Sequence, residues 1–326
     1  IFDSSLVFMT LGIDVIDRSM YYKALIQSLI DKGAKVAMYS HSYDEMMRVI
    51  IGASSWVESY AYDPALASIT TEYFRSIHAT KSDVEEYSLT LKSKIADAQI
   101  EIMDVDYIPA NYKHQQDEEK IYLMIVENYR RTNPSFNEDA QRYSIELDAR
   151  SIAHVYLLRK TLRPRLIADA NYLFITANRS LSKVANDYNT TVFGNPDTIP
   201  AVLTDVFLGT FIWLSDPVKT MQMNEQQIIA HAYLAFQPNT ILVQKLSATV
   251  RRLLEHGKID ADTCYTLMSN KIVMDKLAKQ TLGDPSAYTE DTPIDILAEI
   301  KSDGRQDGFE EATKLHMEAR NELAQS

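Results

Sequence analysis

The chain has 326 residues, enough for one large domain or two ordinary ones, and 46% hydrophobic and 24% charged residues are typical of a globular protein. The 9 glycines are too few for an all-β protein, and the seven histidines lack the HxxH and HxxxH spacings of zinc sites. A net charge of −12 opposes nucleic-acid binding by the chain as a whole.

Positive charge is concentrated in the middle of the chain. Residues 120–185 carry a net charge of +5, whereas residues 1–119 carry −9 and residues 186–326 carry −8. A basic segment beside acidic groups suits a nuclease, which needs cations to hold phosphates and carboxylates to hold a metal ion. The same arginines and lysines also fit ordinary solvated helix faces.

Three further features concern the setting of the protein. A single cysteine, Cys264, excludes an internal disulfide and predicts a reducing, cytoplasmic environment. No apolar run reaches the roughly 18 residues of a membrane span, so we expect no membrane association. Because the chain begins at Ile1, in what reads as the middle of a strand, we expect it to be part of a longer protein.

The first 51 residues have a βαβα pattern, which predicts parallel strands joined by crossover helices. Residues 1–10 favour a short buried strand that ends near Asp3, and residues 18–32 favour a helix that stops at Gly33. A second strand is expected over residues 34–40. Ser42 and Glu45 then have the spacing of a capping box, opening a helix through Ile51.

The rest of the chain is predicted to be mainly helical. We interpret residues 56–118 as a helical insertion, and residues 199–214 fit either an initial strand or a buried helix. From residue 217 onward the pattern is helical throughout, with Gly257 and Gly283 as stops. The remaining predicted elements are helices over 119–131, 137–163 and 178–188 and a strand over 170–176.

Asp148 is the most unusual acidic residue of the sequence. On a helix it shares one narrow stripe with Ile152, Val155 and Arg159. A carboxylate on an apolar stripe must be paired or must bind a metal ion. The pairing alternative is an ion pair with Arg159 or with its near neighbour Arg150.

Three other positions follow predicted strands and are expected at the same sheet edge. Asp3 ends the first strand, although it also fits a plain turn or cap. Glu45 follows the second strand, although the capping box alone would explain it. The turn from Thr176 to Arg179, with Asn178, follows the third strand and also fits an ordinary connection.

Taken in order, these segments resemble the PIN-like nuclease family. The matching segments are IFDSS, YSHSYDEMMRVI, ELDARSIAHVYLLR and LFITANRSL, within residues 1–56 and about 136–214. The resemblance implies an α/β, three-layer PIN-like fold with a central parallel sheet. It also implies a PIN domain over residues 1–216, leaving an all-helical C-terminal region over residues 217–326.

By the same resemblance Asp3, Glu45 and Asp148 are the metal-binding acids, and Asn178 is the fourth catalytic position, where many members have Asp. Asp44 is an alternative to Glu45, and Asp205 is a late acid of uncertain role. Converging carboxylates repel one another, and a hard divalent ion, Mg²⁺ or Mn²⁺, relieves this. Such an ion activates water for attack on a phosphodiester.

The expected substrate is RNA or single-stranded DNA. Ser4, Ser5, Thr176 and Arg179 are candidates to position water or phosphate, and Arg150, Arg159, Arg163 and Arg165 are candidates for backbone contacts. We expect the C-terminal helices to bind a protein partner or to mediate self-association. The sequence lacks the glycine and serine motifs of α/β-hydrolases and nucleotide-binding proteins.

Asn178, the acidic net charge and the helical extension leave a second hypothesis open. In that hypothesis the chain is a PIN-like module for binding or regulation that does not hydrolyse nucleic acid.

Overall fold

Strands of only three residues alternate with much longer helices in a computed structural model of the chain. It describes residues 1–14, 18–59, 68–105, 113–132, 136–194, 197–215, 240–269, 271–281 and 287–302. The chain divides into two compact units, the first formed by Ile1–Ser59 with Ser68–His231 and the second by Tyr60–Ala67 with Ala232–Ser326. The boundary predicted at residues 216–217 lies outside the described residues.

The first unit holds four strands and nine helices among its described residues. Its elements in chain order are α1 (Ser4–Thr10), α2 (Ser19–Asp31), β1 (Ala37–Tyr39), α3 (Ser40–Ser54), α4 (Ile69–Ser76), α5 (Lys81–Asp97), β2 (Glu101–Met103), α6 (Glu118–Thr132), α7 (Glu138–Arg159), β3 (Phe174–Thr176), α8 (Arg179–Phe193), β4 (Val202–Thr204) and α9 (Asp205–Leu214).

The predicted fold class is wrong, because the described chain is mostly helical and has no central parallel sheet of a PIN fold. There are instead two small parallel sheets of two strands each, β1 with β2 and β3 with β4. The first residues do not form a regular strand either. Phe2 forms one bridge, to Ile175 of β3, and a helix begins at Ser4.

Residues 1–3 are hydrogen-bonded to both small sheets. The backbone N–H of Phe2 donates to the carbonyl of Ala37 in β1 at 2.7 Å, and the N–H of Asp3 donates to the carbonyl of Ile175 at 2.9 Å. This short segment therefore places Asp3 beside the C-terminal end of β3 and brings the start of α1 close to both sheets.

Several predicted elements are confirmed with shifted ends. The helix predicted over 18–32 is α2, and Gly33 after it has a φ of +83°, as a helix stop requires. The helices predicted over 119–131, 137–163 and 178–188 are α6, α7 and α8, and the third strand is β3. Residues 199–214 contain both alternatives, a strand followed by a helix.

Two local predictions are wrong. The capping box at Ser42 is absent, because α3 begins at Ser40 directly after β1 and its N-cap residue is Tyr39. The segment interpreted as a purely helical insertion contains β2, which pairs in parallel with β1. Glu101 to Met103 are exposed or half-buried, so their pattern did not stand out as a buried strand.

The core of the first unit lies between α6, α7 and α8 and the strands. Ile152 and Val155 of α7 are completely buried, together with Ile125 of α6 and Leu181 of α8. Each such side chain contributes about 1.5–3 kcal/mol when it leaves water. This packing holds α7 in place and thereby fixes the direction of Asp148 at the N-terminal end of the same stripe.

The second unit is helical in its described part, and Gly257, with a φ of +65°, follows its first helix as predicted. Leu242, Leu246 and Val250 form the buried stripe of that helix, at the spacing of one turn. Gly283, the other predicted stop, lies outside the described residues. The elements are α10 (Thr240–Glu255), α11 (Ala261–Ser269) and α12 (Lys271–Thr281), followed by helical residues 292–302.

None of the described helices combines the length and the apolar character that a membrane crossing requires.

Candidate functional site

Three acidic side chains from distant parts of the chain act on one another electrostatically. We call Asp3, Glu45 and Asp148 the carboxylate cluster. Their negative charges influence each other's pKa, with Asp3 and Glu45 acting on Asp148 and Asp3 acting on Glu45. These charge effects show that the three acids are near one another, whereas their sharing of a metal ion stays a prediction.

Each acid of the cluster lies on a helix or at its N-terminus. Asp3 is the N-cap residue of α1, and Glu45 lies in the second turn of α3, which continues from β1 without a loop. Asp148 lies on α7, whose start is capped by Asn137 through a bond from the N–H of Ala140. All three acids are half-buried.

Hydroxyl groups hold two of the carboxylates. Ser4 Oγ donates to Glu45 Oε2 at 2.7 Å and lies 3.4 Å from Asp3 Oδ1, so one hydroxyl bridges both acids. Asp3 Oδ2 accepts bonds from Thr176 Oγ1 at 2.7 Å and from Ser5 Oγ at 3.1 Å. The side chains of Asp3 and Glu45 are therefore fixed in orientation before any ligand is present.

Asp148 has a different environment. Within the described part of the chain its carboxylate accepts no hydrogen bond and forms no ion pair. Burial, and then the charges of Asp3 and Glu45, raise the pKa of Asp148 well above its ordinary value. The expected pairing with an arginine is absent: Arg150 pairs with Glu118 at 3.6 Å, and Arg159 turns to backbone carbonyls.

Burial also raises the pKa values of the other two acids. For Asp3 the effect of burial exceeds that of the bonds from Thr176, Ser5 and Ser4, which favour the ionised form. For Glu45 the bond from Ser4 and the charge of Arg48 oppose burial and the charge of Asp3. The cluster therefore resists carrying three negative charges at once unless a cation compensates them.

The cluster is not a ready-made metal cage. Across the described residues, no group of three His, Cys, Asp or Glu side chains is placed so that it could hold one ion. The donor set nevertheless fits a hard divalent cation, because it consists of carboxylate oxygens whose mutual repulsion such an ion relieves. The carboxylates would have to move closer together to share it.

Asn178 lies near the cluster but is engaged in two structural bonds. Its Oδ1 accepts from the N–H of Leu181 and so caps α8, and its Nδ2 donates to the hydroxyl of Tyr129 at 2.7 Å. The amide oxygen predicted to serve the site is therefore a helix cap. Asp44, the alternative to Glu45, is exposed.

Tyr129 is a site residue that the sequence analysis missed. Burial, followed by the charge of Asp148, raises the pKa of its hydroxyl, and Asp3 adds to this effect. The hydroxyl therefore keeps its proton and remains a hydrogen-bond donor beside the carboxylates. Its place in the last turn of an amphipathic helix carried no distinguishing signal in the sequence.

The predicted phosphate-binding arginines fall into two groups. Arg150 and Arg179 are exposed. Arg159 is only 3% exposed and donates to the carbonyls of Tyr172, Ile199 and Pro200, which makes it a structural residue rather than a phosphate contact. Arg163 donates to two carbonyls and lies 3.9 Å from the ring of Phe193.

Arg48 is a further cation near the cluster. It lies one turn after Glu45 on α3, its charge lowers the pKa of that residue, and its guanidinium stacks 4.2 Å from the ring of Tyr143. The guanidinium also donates to the Tyr143 hydroxyl. An exposed arginine beside an acidic site is suited to contact an anionic substrate.

A pocket of about 500 Å³ opens at the C-terminal ends of β1 and β2. We call it the β1–β2 pocket. It is lined by Tyr39, Ser40, His41, Met103, Asp104, Val105, Gln115, Glu118, Arg150 and His154.

Comparison with protein-family models, curated proteins and solved structures finds no match to this chain.

Proposed function

We propose that the chain is a metal-dependent nuclease, a hydrolase of phosphodiester bonds in RNA or single-stranded DNA, with the carboxylate cluster as its catalytic site. The observation that carries this proposal is the state of Asp148. A half-buried carboxylate that faces two other acids, with no compensating bond among the described residues, is costly to keep unless it serves a ligand.

In this proposal Asp3, Glu45 and Asp148 hold Mg²⁺ or Mn²⁺. When bound, the ion supplies charge neutralisation and an activated water for attack on the phosphodiester. Ser4 keeps the carboxylates of Asp3 and Glu45 side by side, and Thr176 fixes the other oxygen of Asp3. These bonds reduce the reorganisation that ligand binding requires.

Tyr129 and the exposed arginines have supporting roles in the proposal. The Tyr129 hydroxyl is held by Asn178 and keeps its proton, so it can donate a hydrogen bond to an oxygen that gains negative charge. Arg48, Arg150 and Arg179 would contact the phosphates of the RNA or DNA strand. Such contacts do not distinguish one base sequence from another. The order of the motif residues, which resembles that of PIN-like nucleases, supports the same chemistry.

Two parts of the proposal concern the setting. We propose a cytoplasmic location, because a lone cysteine is usual for proteins of reducing compartments. We propose that the second unit binds a protein partner or a second copy of the chain.

The second candidate is a module that binds nucleic acid or protein without hydrolysis. It is favoured by the two structural bonds of Asn178 and by the lack, among the described residues, of three ligands already arranged around one ion. Cleavage assays separate the two candidates.

The test is cleavage of labelled RNA and single-stranded DNA in Mn²⁺ by the wild type, Asp3→Asn and Asp148→Asn. We expect each variant to cleave at least about 100-fold more slowly than the wild type. Removing a residue that only supports a metal ligand already costs up to about 100-fold, and these variants change proposed ligands themselves. Asp44→Asn is the matched control, since it removes an exposed carboxylate next to Glu45, and it should cleave like the wild type. Equal cleavage by all four proteins, or no cleavage by any, rules the nuclease out.

A further inference from the structure

The β1–β2 pocket combines three kinds of side chain that one nucleotide would need. His41 supplies a half-buried aromatic ring, backed by the buried rings of Tyr39 and His154, with centroids 5.0–5.6 Å apart in each pair. Arg150 supplies a cation, and Asp104 and Gln115 supply acceptors for amino groups. A volume of about 500 Å³ falls within the range of small-ligand pockets.

From this combination we infer that the β1–β2 pocket holds one nucleotide of a single-stranded nucleic acid, with its base against the His41 ring and its phosphate at Arg150. The inference rests on the proposed function for the class of ligand. It adds a preference for single strands, because a base paired in a duplex cannot enter a pocket.

The aromatic wall of the pocket is uncharged near neutral pH. Burial, then the charges of His154 and Arg150, lower the pKa of His41 to about 3. Burial lowers the pKa of His154 to about 4, although the charge of Glu118 opposes this. Neutral imidazoles present flat apolar faces, and stacking on such faces accepts any base.

The rings are also held in place. The ring of His41 stacks on that of Tyr39 at an interplanar angle of 19°, and His41 Nε2 lies 2.9 Å from Ser151 Oγ. Tyr39 is the last residue of β1, so the strand and α7 fix its position. A rigid aromatic surface loses little conformational entropy when a base binds it.

The pocket and the carboxylate cluster share the same two helices. His41 lies one turn before Glu45 on α3, and Arg150 follows Asp148 by two residues on α7. Side chains two residues apart on a helix do not face each other, so Arg150 and Asp148 lie on different sides of α7.

The acidic side chains of the pocket restrict where the phosphate can lie. Asp104 and Glu118 would repel it, but Glu118 is paired with Arg150, whose side chain remains 44% exposed. The phosphate is therefore expected on the Arg150 side of the pocket. The carboxylate of Asp104 suits an exocyclic amino group of the base.

The test is binding of a fluorescent single-stranded RNA in EDTA, measured by anisotropy, so that cleavage does not contribute. His41→Ala is expected to weaken binding by about 5- to 100-fold, the range for loss of one stacked base. Arg150→Ala is expected to weaken it by about 10- to 100-fold, the range for loss of a hydrogen bond to a charged group. His41→Phe keeps a flat ring and should bind within a few-fold of the wild type. Arg130→Ala is the matched control, because Arg130 is also an exposed arginine paired with a glutamate, and it lies outside the pocket.

Two results would overturn the inference. One is equal affinity of the wild type, Arg150→Ala and Arg130→Ala for the single strand; since Arg150 is exposed, this result does not depend on the folding of a core variant. The other is binding of a duplex, or of free mononucleotides in competition, that is as tight as binding of the single strand. If the pocket variants bind RNA normally and the wild type cleaves it, only the pocket assignment fails. If the pocket variants lose binding and the wild type does not cleave, only the proposed hydrolysis fails.

Discussion

Two acidic residues of the first unit, Asp148 and Asp205, meet burial in opposite ways. Asp205, the first residue of α9, is 4% exposed and accepts a bond from the Tyr22 hydroxyl at 2.6 Å, with the positive charge of Arg18 nearby. Asp148 faces Asp3 and Glu45 and, among the described residues, has neither a donor nor a cation. The burial of Asp205 is compensated by a hydrogen bond and a nearby positive charge, whereas the burial of Asp148 is not compensated by the described part of the chain and lowers stability.

The comparison separates structural acids from functional ones. Burial raises the pKa of both residues, so a raised pKa alone does not identify a site. The sign of the surrounding charges does: Arg18 and Tyr22 favour the ionised form of Asp205, whereas Asp3 and Glu45 oppose that of Asp148. A cation from solution would therefore favour the ionised form of Asp148, which the surrounding charges otherwise oppose.

Neutralising each acid should therefore change stability in opposite directions. In EDTA near neutral pH, Asp148→Asn is expected to raise the free energy of unfolding by about 1 kcal/mol, because a neutral amide avoids the cost of burying an acid beside Asp3 and Glu45. Asp205→Asn should lower it by about 1–2 kcal/mol, because it weakens a charge-assisted bond with Tyr22. Equilibrium denaturation measures both, and a shift of the same sign in the two variants would break the comparison.

The pH dependence of stability sharpens the same contrast. The folded pKa of Asp148 is raised above its ordinary 3.8, so the folded state binds the proton more tightly than the unfolded state does. The associated stability is complete below 3.8 and is lost as the pH rises through the folded pKa. The metal-free wild type should therefore lose stability as the pH rises above 3.8 and through the folded pKa of Asp148.

Saturating Mn²⁺ should flatten that slope, because the ion takes the place of the proton. Asp148→Asn should reduce the slope without metal, by removing one of the three acids. An identical slope in the wild type with and without Mn²⁺, and in Asp148→Asn, would show that the cluster does not couple to folding.

The smallest expected effect concerns Asn178. Asn178→Ala removes the cap of α8 and should lower stability by about 1 kcal/mol, while cleavage changes only a few-fold through the loosened Tyr129. Asn178→Ser, which keeps a capping oxygen, is the control and should recover most of the stability. Complete loss of cleavage in Asn178→Ala at unchanged stability would instead make the amide oxygen a ligand.

Asp148 stood out in the sequence because it interrupts an apolar helical stripe, and such a break is visible without coordinates. Asp3 was singled out as the end of a predicted strand, whereas the structure makes it the N-cap residue of α1. Glu45 was singled out after the second strand, although its spacing from Ser42 offered a cap that the structure lacks. Because the cap is absent, the side chain of Glu45 accepts a hydrogen bond from Ser4 instead of capping a helix.

Other features depended on contacts across the fold. Arg159 lies on the same helical stripe as Ile152 and Val155, but the sequence did not show that its guanidinium donates hydrogen bonds to three backbone carbonyls near β3 and β4. Tyr129 became a site residue only through its contact with Asn178. A central sheet was expected from apolar runs. The periodicity of a run does not show how many of its residues pair with a neighbouring strand, and each strand here has only three residues.

Titration calorimetry of Mn²⁺ into metal-free protein tests the central claim most directly, namely that the carboxylate cluster binds a divalent cation. The wild type and Asp205→Asn should both show saturable binding with proton release, and Asp148→Asn should lose it. Binding of equal affinity in Asp148→Asn, or none in the wild type, would contradict the proposed site.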